Sequence, residues 1–103
     1  MKFSIFLLSC QNLKEASKIE KKLLGKKLIV CSKKIKVDSS YWWKKEINSD
    51  SEALLLMESY IEYFEKINVE VKKLHSYETY TLYSIPIEKA NKETKDWIKE
   101  ELG

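Results

Sequence analysis

The chain has 103 residues, 44% hydrophobic, 34% charged and 12% aromatic, with only two Gly and one Pro. That describes a single compact domain over residues 1–103, and at this size a lone copy buries only about 60–65% of its unfolded surface and is modestly stable, which leaves room for stabilisation by oligomerisation. All 19 basic residues are Lys, set against 16 acidic ones for a net charge of +3. Without an Arg fork for phosphate or guanine, nucleic acid is not an expected partner.

The chain opens on Met1-Lys2-Phe3-Ser4-Ile5-Phe6-Leu7-Leu8-Ser9-Cys10. This superficially resembles a signal peptide. The apolar run is short for that role and leads straight into an amphipathic segment, so Lys2–Leu8 is read as a first strand, buried on both faces. Asn12, three residues before Glu15, caps a first helix with Leu13, Ala16, Ile19, Leu23 and Leu24 on one face and Gly25 at its end. Leu28 to Ile47 is β-prone throughout and far longer than an ordinary strand, hence one long bent strand or two in succession. Asn48-Ser49-Asp50-Ser51 reads as the turn of a hairpin, with Ala53–Met57 as its return strand. A second helix covers Ile61–Leu74, Thr79–Ile87 forms a last strand closed by Pro86, and Asn91 caps a terminal helix burying Trp97 and Ile98.

The order βαββαβ plus a helix is that of an α+β, ferredoxin-like sandwich. A four-stranded sheet of ordinary strand length cannot pair all of Leu28–Ile47. The Tyr41-Trp42-Trp43 end is therefore expected to overhang, and such an edge invites pairing with another subunit. No stretch is long enough to cross a bilayer, so no membrane role is expected. Cys10 and Cys31 form no CxxC and stand far from His75, which excludes a zinc pattern and fits a reduced pair in the cytoplasm. Cys31 reads as a small core residue, and Cys10, at a strand-to-helix junction, as the exposed and more reactive thiol. Glu65, Glu70 and the other carboxylates of the second helix alternate with Lys as on a solvated face.

Several stretches together resemble the CutA family of divalent-cation tolerance proteins. They are Cys31 after the first helix, Tyr41-Trp42-Trp43 followed by Ile47, Glu52-Ala53-Leu54-Leu55-Leu56, Leu74-His75-Ser76-Tyr77-Glu78, Ile85-Pro86-Ile87, Asn91, Trp97 and Glu101-Leu102. The resemblance implies a ferredoxin-like subunit in a homotrimer whose long strands extend into neighbouring sheets. It also implies a non-enzymatic binding or regulatory role in the response to divalent metal ions. No cofactor is required; Cu²⁺ or another divalent cation is the candidate ligand. The copper ligands proposed for some members fall, by spacing, on Leu8, His75 and Thr81, so only His75 is retained. Cys10, two residues beyond Leu8 and on the same face of its strand, is the candidate substitute. The family's usual Gly after the Trp-containing strand is here Lys45, and the Pro after the motif His is Ser76.

The metal candidates are thus His75 and Cys10, with His75 also readable as a hydrogen-bonded end of the second helix. Tyr77 and Glu78 are the candidates for a polar cleft, with a small molecule as alternative ligand. Tyr41, Trp42, Trp43 and Trp97 are the candidates for subunit packing. A second reading is a PII-like small-molecule signalling trimer without a metal role. An RNA-recognition module lacks its third-strand aromatic residues in Ala53–Met57, and an acylphosphatase-type hydrolase lacks its Arg. Cys10 with His75 is the one conceivable nucleophile–base pair, and no enzyme activity is expected.

Overall fold

The computed structural model describes residues 1–103. Its elements are β1 (Phe3–Cys10), α1 (Leu13–Gly25), β2 (Cys31–Trp43), β3 (Glu46–Tyr60), a short 3-10 turn (Ile61–Tyr63), α2 (Phe64–Leu74), β4 (Leu82–Pro86) and α3 (Lys92–Leu102). The sheet order is β2-β3-β1-β4 with every neighbouring pair antiparallel, so the fold is the expected α+β ferredoxin-like sandwich with an added C-terminal helix.

Side chains alternate across a strand, and β1 uses that alternation strictly. Ser4, Phe6, Leu8 and Cys10 are fully buried, while Phe3, Ile5, Leu7 and Ser9 are only half-buried. The strand is therefore covered fully on one face, not on both as its unbroken apolar run implied. The register places Phe6 opposite Met57, Leu8 opposite Leu55 and Cys10 opposite Ala53. Ala16, Ile19 and Leu23 of α1 and Ile67 and Val71 of α2 complete this core. Full burial of each large apolar side chain contributes about 1.5–3 kcal/mol. Ser4 is tolerated within it because its hydroxyl bonds Ser84 Oγ at 2.6 Å and the Ile85 carbonyl at 3.0 Å, which satisfies a buried polar group.

The Asn12 side chain accepts from the Glu15 amide at 2.9 Å, as the cap requires. The Glu15 carboxylate turns one residue further back, to the Gln11 amide at 2.7 Å. Leu13 and Leu24, expected on the inner face, are 39% and 40% exposed. After Gly25 it is Lys27, with φ of 55°, that takes the left-handed conformation ending the helix.

The hairpin departs most from the sequence reading. β2 ends at Trp43, and the turn is the pair Lys44-Lys45, with φ of 50° and 65°. Two successive left-handed residues make the two-residue turn whose twist matches its flanking strands. Trp43 accordingly pairs with Glu46 and Trp42 with Ile47. Asn48–Ser51, read as the turn, lies inside β3, and Ile47 belongs to β3 as well. The sequence signal misled because turn-forming residue types sit here on a solvated strand, while the true turn carries Lys in a conformation that ordinarily selects Gly or Asn.

Smaller corrections come from packing. β4 is shorter than Thr79–Ile87, since residues 75–81 form a loop. Ile98 is fully buried, whereas Trp97 is 41% exposed and not a core residue. Asn91 stands at the N-cap of α3 but makes no side-chain bond to a helix amide. Glu70 is buried rather than solvated: Lys26 at 3.1 Å and Lys73 at 3.2 Å pair with it, and the Lys26 hydrogen bond leads in holding its carboxyl below the usual range.

Candidate functional site

Three side chains from separate elements meet where β1 ends: Cys10 of β1, Glu15 in the first turn of α1 and His75 at the end of α2, with one donor atom of each within 4.8 Å of the others. The His75 side chain is 0% exposed. Its Nδ1 accepts the Tyr77 amide at 3.0 Å, and its Nε2 lies 2.7 Å from the Ser9 carbonyl. A ring nitrogen that accepts carries no proton, so Nε2 holds it and donates to Ser9, which defines a neutral imidazole. The Glu15 carboxylate takes the Gln11 amide on one oxygen and the Ser76 amide at 2.6 Å on the other. Burial alone would raise the pKa of Glu15, but these amide bonds outweigh it and hold the carboxyl below its ordinary range. Burial first, then the charges of Glu15 and Glu52, push the Cys10 thiol up to about 12. Cys10 is thus a buried, protonated thiol, and its expected exposure and reactivity are corrected. Cys31 is the half-exposed one, with Lys33 Nζ 3.4 Å from its sulfur.

The His75 ring also organises the loop on its C-terminal side. Tyr80 stacks on it at 4.9 Å and Tyr77 tilts against it at 4.9 Å. Tyr80 donates to Asn68 Oδ1, which fixes the far end of that ring. Held in this way, the loop 75–81 walls one side of a cleft of about 630 Å³. The other wall is the overhanging hairpin, from Glu52 toward its tip, with Tyr41, Trp42 and Trp43. Tyr77, Glu78 and Thr81 line the loop side. Tyr77 donates to Glu52 Oε2 at 2.8 Å, and burial followed by that carboxylate raises the phenol well above its ordinary value. One cavity therefore gathers the residues singled out for a polar cleft and the rings singled out for subunit packing. Trp97 is not among its lining residues.

Residues 4–101 match the family model described as CutA1 divalent ion tolerance protein. The chain belongs to the CutA1 family. It is 38% identical over 93 residues to the divalent-cation tolerance protein CutA of Archaeoglobus fulgidus, covering 90% of this chain and 91% of that one. With the namesake of Thermotoga maritima it shares 34% identity over 91 residues, 88% and 90% of the two chains. The solved structure of the periplasmic divalent cation tolerance protein CutA from Archaeoglobus fulgidus superposes with a TM-score of 0.94, at 35% identity over 98% of this chain and 99% of that one.

Within the CutA1 fold of this chain, the three positions transferred by spacing separate. Leu8 points into the core and is 0% exposed, Thr81 lines the cleft, and His75 lies in the buried knot. Cys10 shares the face of Leu8, as alternation requires, and does approach His75. Yet the donors of this set are poorly disposed to a resident metal. Both imidazole nitrogens and both Glu15 oxygens are engaged, and the thiol holds its proton, whereas a metal needs deprotonated ligands with free lone pairs. The same commitments prevent Cys10 and His75 from acting as nucleophile and base. The knot is a brace for the loop.

Glu15 and Glu52 are the site residues the sequence reading missed. The sequence position of Glu15 points only to capping, and its wrap-around bond to Ser76, 61 residues away, reveals a second role. Glu52 carried a signal: a single carboxylate directly preceding the apolar run Ala53-Leu54-Leu55-Leu56 of a buried strand, and the fold buries it to 8% exposure.

Proposed function

We propose that this chain is a non-enzymatic binding protein in the response to and tolerance of divalent metal ions, working as a homotrimer in the cytoplasm. The observation that carries the reading is the CutA1 match across residues 4–101. Assembly is supported by the sheet itself. β1 stops at Cys10 opposite Ala53, so Glu46–Glu52 have no partner on that side, and β2 is an outer strand along all of Cys31–Trp43. Trp42 and Ile47, paired across the hairpin, are 71% and 68% exposed. Ile35, Tyr83 and Ile85 add exposed apolar surface on the sheet face away from the helices. Long unpaired edges that carry exposed apolar side chains such as these are stabilised when another chain covers them. The two free thiols, Cys10 and Cys31, support a reducing compartment. No helix is long and apolar enough to cross a membrane.

Copper or another divalent cation is the ligand assigned to this role, and its binding at His75 and Cys10 is weak. An ion there must displace the bonds to Ser9 and Tyr77 and remove a thiol proton. Calorimetric Cu²⁺ titration of wild type, His75→Ala and Cys10→Ser, each with its mass measured by sedimentation, tests both parts. The expected result is a trimer with weak binding that both substitutions reduce. Equal binding in all three proteins overturns the assignment to His75 and Cys10. Wild type sedimenting as a monomer at micromolar concentration overturns the assembly, and an intact, equally stable trimer in Trp43→Glu removes the overhang from it.

A further inference from the structure

Beyond the metal role, we propose that the outer face of the two core helices is a docking surface for a flexible phosphate polyanion, inorganic polyphosphate, held along α1 by a stripe of lysine charges.

The charge of the chain is segregated. α1 with the two residues after it, together with α2, carries nine Lys against four Glu, whereas the remainder carries ten Lys against twelve acidic residues. The whole positive surplus therefore sits on the helices. The surface they present is more one-sided still, because three of the four carboxylates are engaged within the fold. Glu15 takes the Gln11 and Ser76 amides, Glu20 pairs with Lys34 of β2, and Glu70 lies between Lys26 and Lys73. Only Glu65 is left exposed.

Helical geometry gathers the lysines. Ala16, Ile19 and Leu23 turn α1 toward the core, so Lys14, Lys18, Lys21 and Lys22, about one turn apart, line its outward side. All four are exposed and none enters an ion pair. The pairing of Glu70 with Lys26 and Lys73 ties α2 beside α1, and the exposed Lys66 and Lys72 widen the positive field. Like charges one turn apart destabilise a helix, and an anion laid along the stripe removes that cost.

This face is open in the lone subunit and stays open in the assembly. The surfaces that neighbours cover are the hairpin, the outer edge of β2 and the sheet face away from the helices. The lysine stripe lies on the opposite side of the sheet, turned away from it.

The residue types select the partner. Lys is a strongly hydrated point charge on a flexible stem, suited to a row of phosphates without fixed geometry, whereas bidentate recognition calls for the Arg that this chain lacks. α1 has no aromatic ring, and Phe64, the one ring of α2, packs against the core and stacks on Phe6. Nothing on this face can therefore stack a nucleobase or seat a ring in a bilayer. A polyphosphate chain needs neither, carries charge on every repeat, and releases its counterions as the lysines replace them.

The test is a calorimetric titration of the assembled protein with long-chain sodium polyphosphate, free of divalent cations. Orthophosphate at equal total phosphate, oligothymidylate and phosphatidylserine vesicles are the comparisons. The expected result is saturable binding that prefers polyphosphate to all three and weakens at least ~10-fold between about 50 and 200 mM salt. Combining Lys14→Gln, Lys18→Gln and Lys21→Gln should lower the affinity at least ~10-fold, whereas Lys89→Gln, Lys95→Gln and Lys99→Gln together, an equal loss of charge elsewhere, should leave it within ~2-fold. No saturable binding, or equal losses in the two variants, overturns the proposal. So does equal or tighter binding of oligothymidylate, which would make the face a nucleic-acid surface, or of the vesicles, which would make it a membrane surface. Orthophosphate binding as well as the polymer also overturns it. All six substituted lysines are exposed and outside the ion pairs, so both variants should fold. Copper calorimetry and sedimentation read the metal role and the assembly separately, so failure of either is distinguishable from failure of this proposal.

Discussion

Phe6 and Trp43 are large rings on strands of one sheet, yet Phe6 is 0% exposed and Trp43 is 46% exposed. The difference lies in what stands over the strand. Around Phe6 the sheet is covered by α1 and α2, the inward positions of β1 and β3 are apolar apart from the hydrogen-bonded Ser4 and Ser59, and the alternation of β1 matches that of β3 residue for residue. Beyond Cys10 the two-stranded hairpin continues without β1, and the same pleat carries Trp42 and Ile47 outward beside Ser, Asp and Lys. One end of the sheet is finished within the subunit. The other has the surface of an interface, and an isolated two-stranded ribbon is marginal in water without further packing.

The largest expected effect separates these ends. Phe6→Ala should lower subunit stability by about 3–5 kcal/mol, because it opens a cavity in a packed core. Trp42→Ser, on a ring 71% exposed, should change the stability of the isolated subunit by no more than about 0.5 kcal/mol while weakening assembly. Chemical denaturation at concentrations below and above association measures both. A loss of several kcal/mol from Trp42→Ser under monomeric conditions would erase the distinction.

A second contrast is between the cysteines. Cys31 should react with a disulfide reagent in the native protein, while Cys10 should react on the order of 100-fold more slowly, at the rate of local opening. The pH dependence has a definite sign. The folded state holds the Cys10 proton up to about 12, against an ordinary 9.0, so its contribution is complete below 9.0 and declines as pH rises from there toward 12. In that window wild type should lose stability more steeply than Cys10→Ala, by a slope approaching one proton. Equal slopes, or equal reactivity of both thiols, would place Cys10 outside the buried half.

Legibility in the sequence divides along the same line. The covered half was readable, because 3.6-residue and two-residue periods directly record which face is buried: Ala16, Ile19 and Leu23, Ile67 and Val71, and the return strand through Ala53–Met57 all lie where the pattern put them. The αβ order, and with it the sandwich, came with them. The cleft was half readable. Tyr77 and Glu78 pointed to it, but Glu52 and the stacking of Tyr80 on His75 depend on contacts between residues distant in the chain. The burial of Cys10 was missed because the strand runs two residues further than its apolar run, and residue type alone does not mark that extension.

The hairpin tip was least legible, and it offers the smallest and cleanest change. Lys44 and Lys45 have φ of 50° and 65°, in the left-handed region where a side chain clashes with the following carbonyl. Gly meets no such penalty, and at the second position of this turn it is the preferred residue. Lys45 loses little by removal, since it makes no hydrogen bond or ion pair and is exposed. Relief of strain should therefore outweigh the greater freedom Gly gives the unfolded chain, and Lys45→Gly should stabilise the protein by about 1 kcal/mol. Thermal unfolding of the variant measures it. Because the turn sets the register of Trp42 opposite Ile47, a gain in assembled protein at least as large as in the free subunit is expected. Destabilisation by Lys45→Gly would mean that the turn is not left-handed at this position, and the overhang would then present a different set of rings.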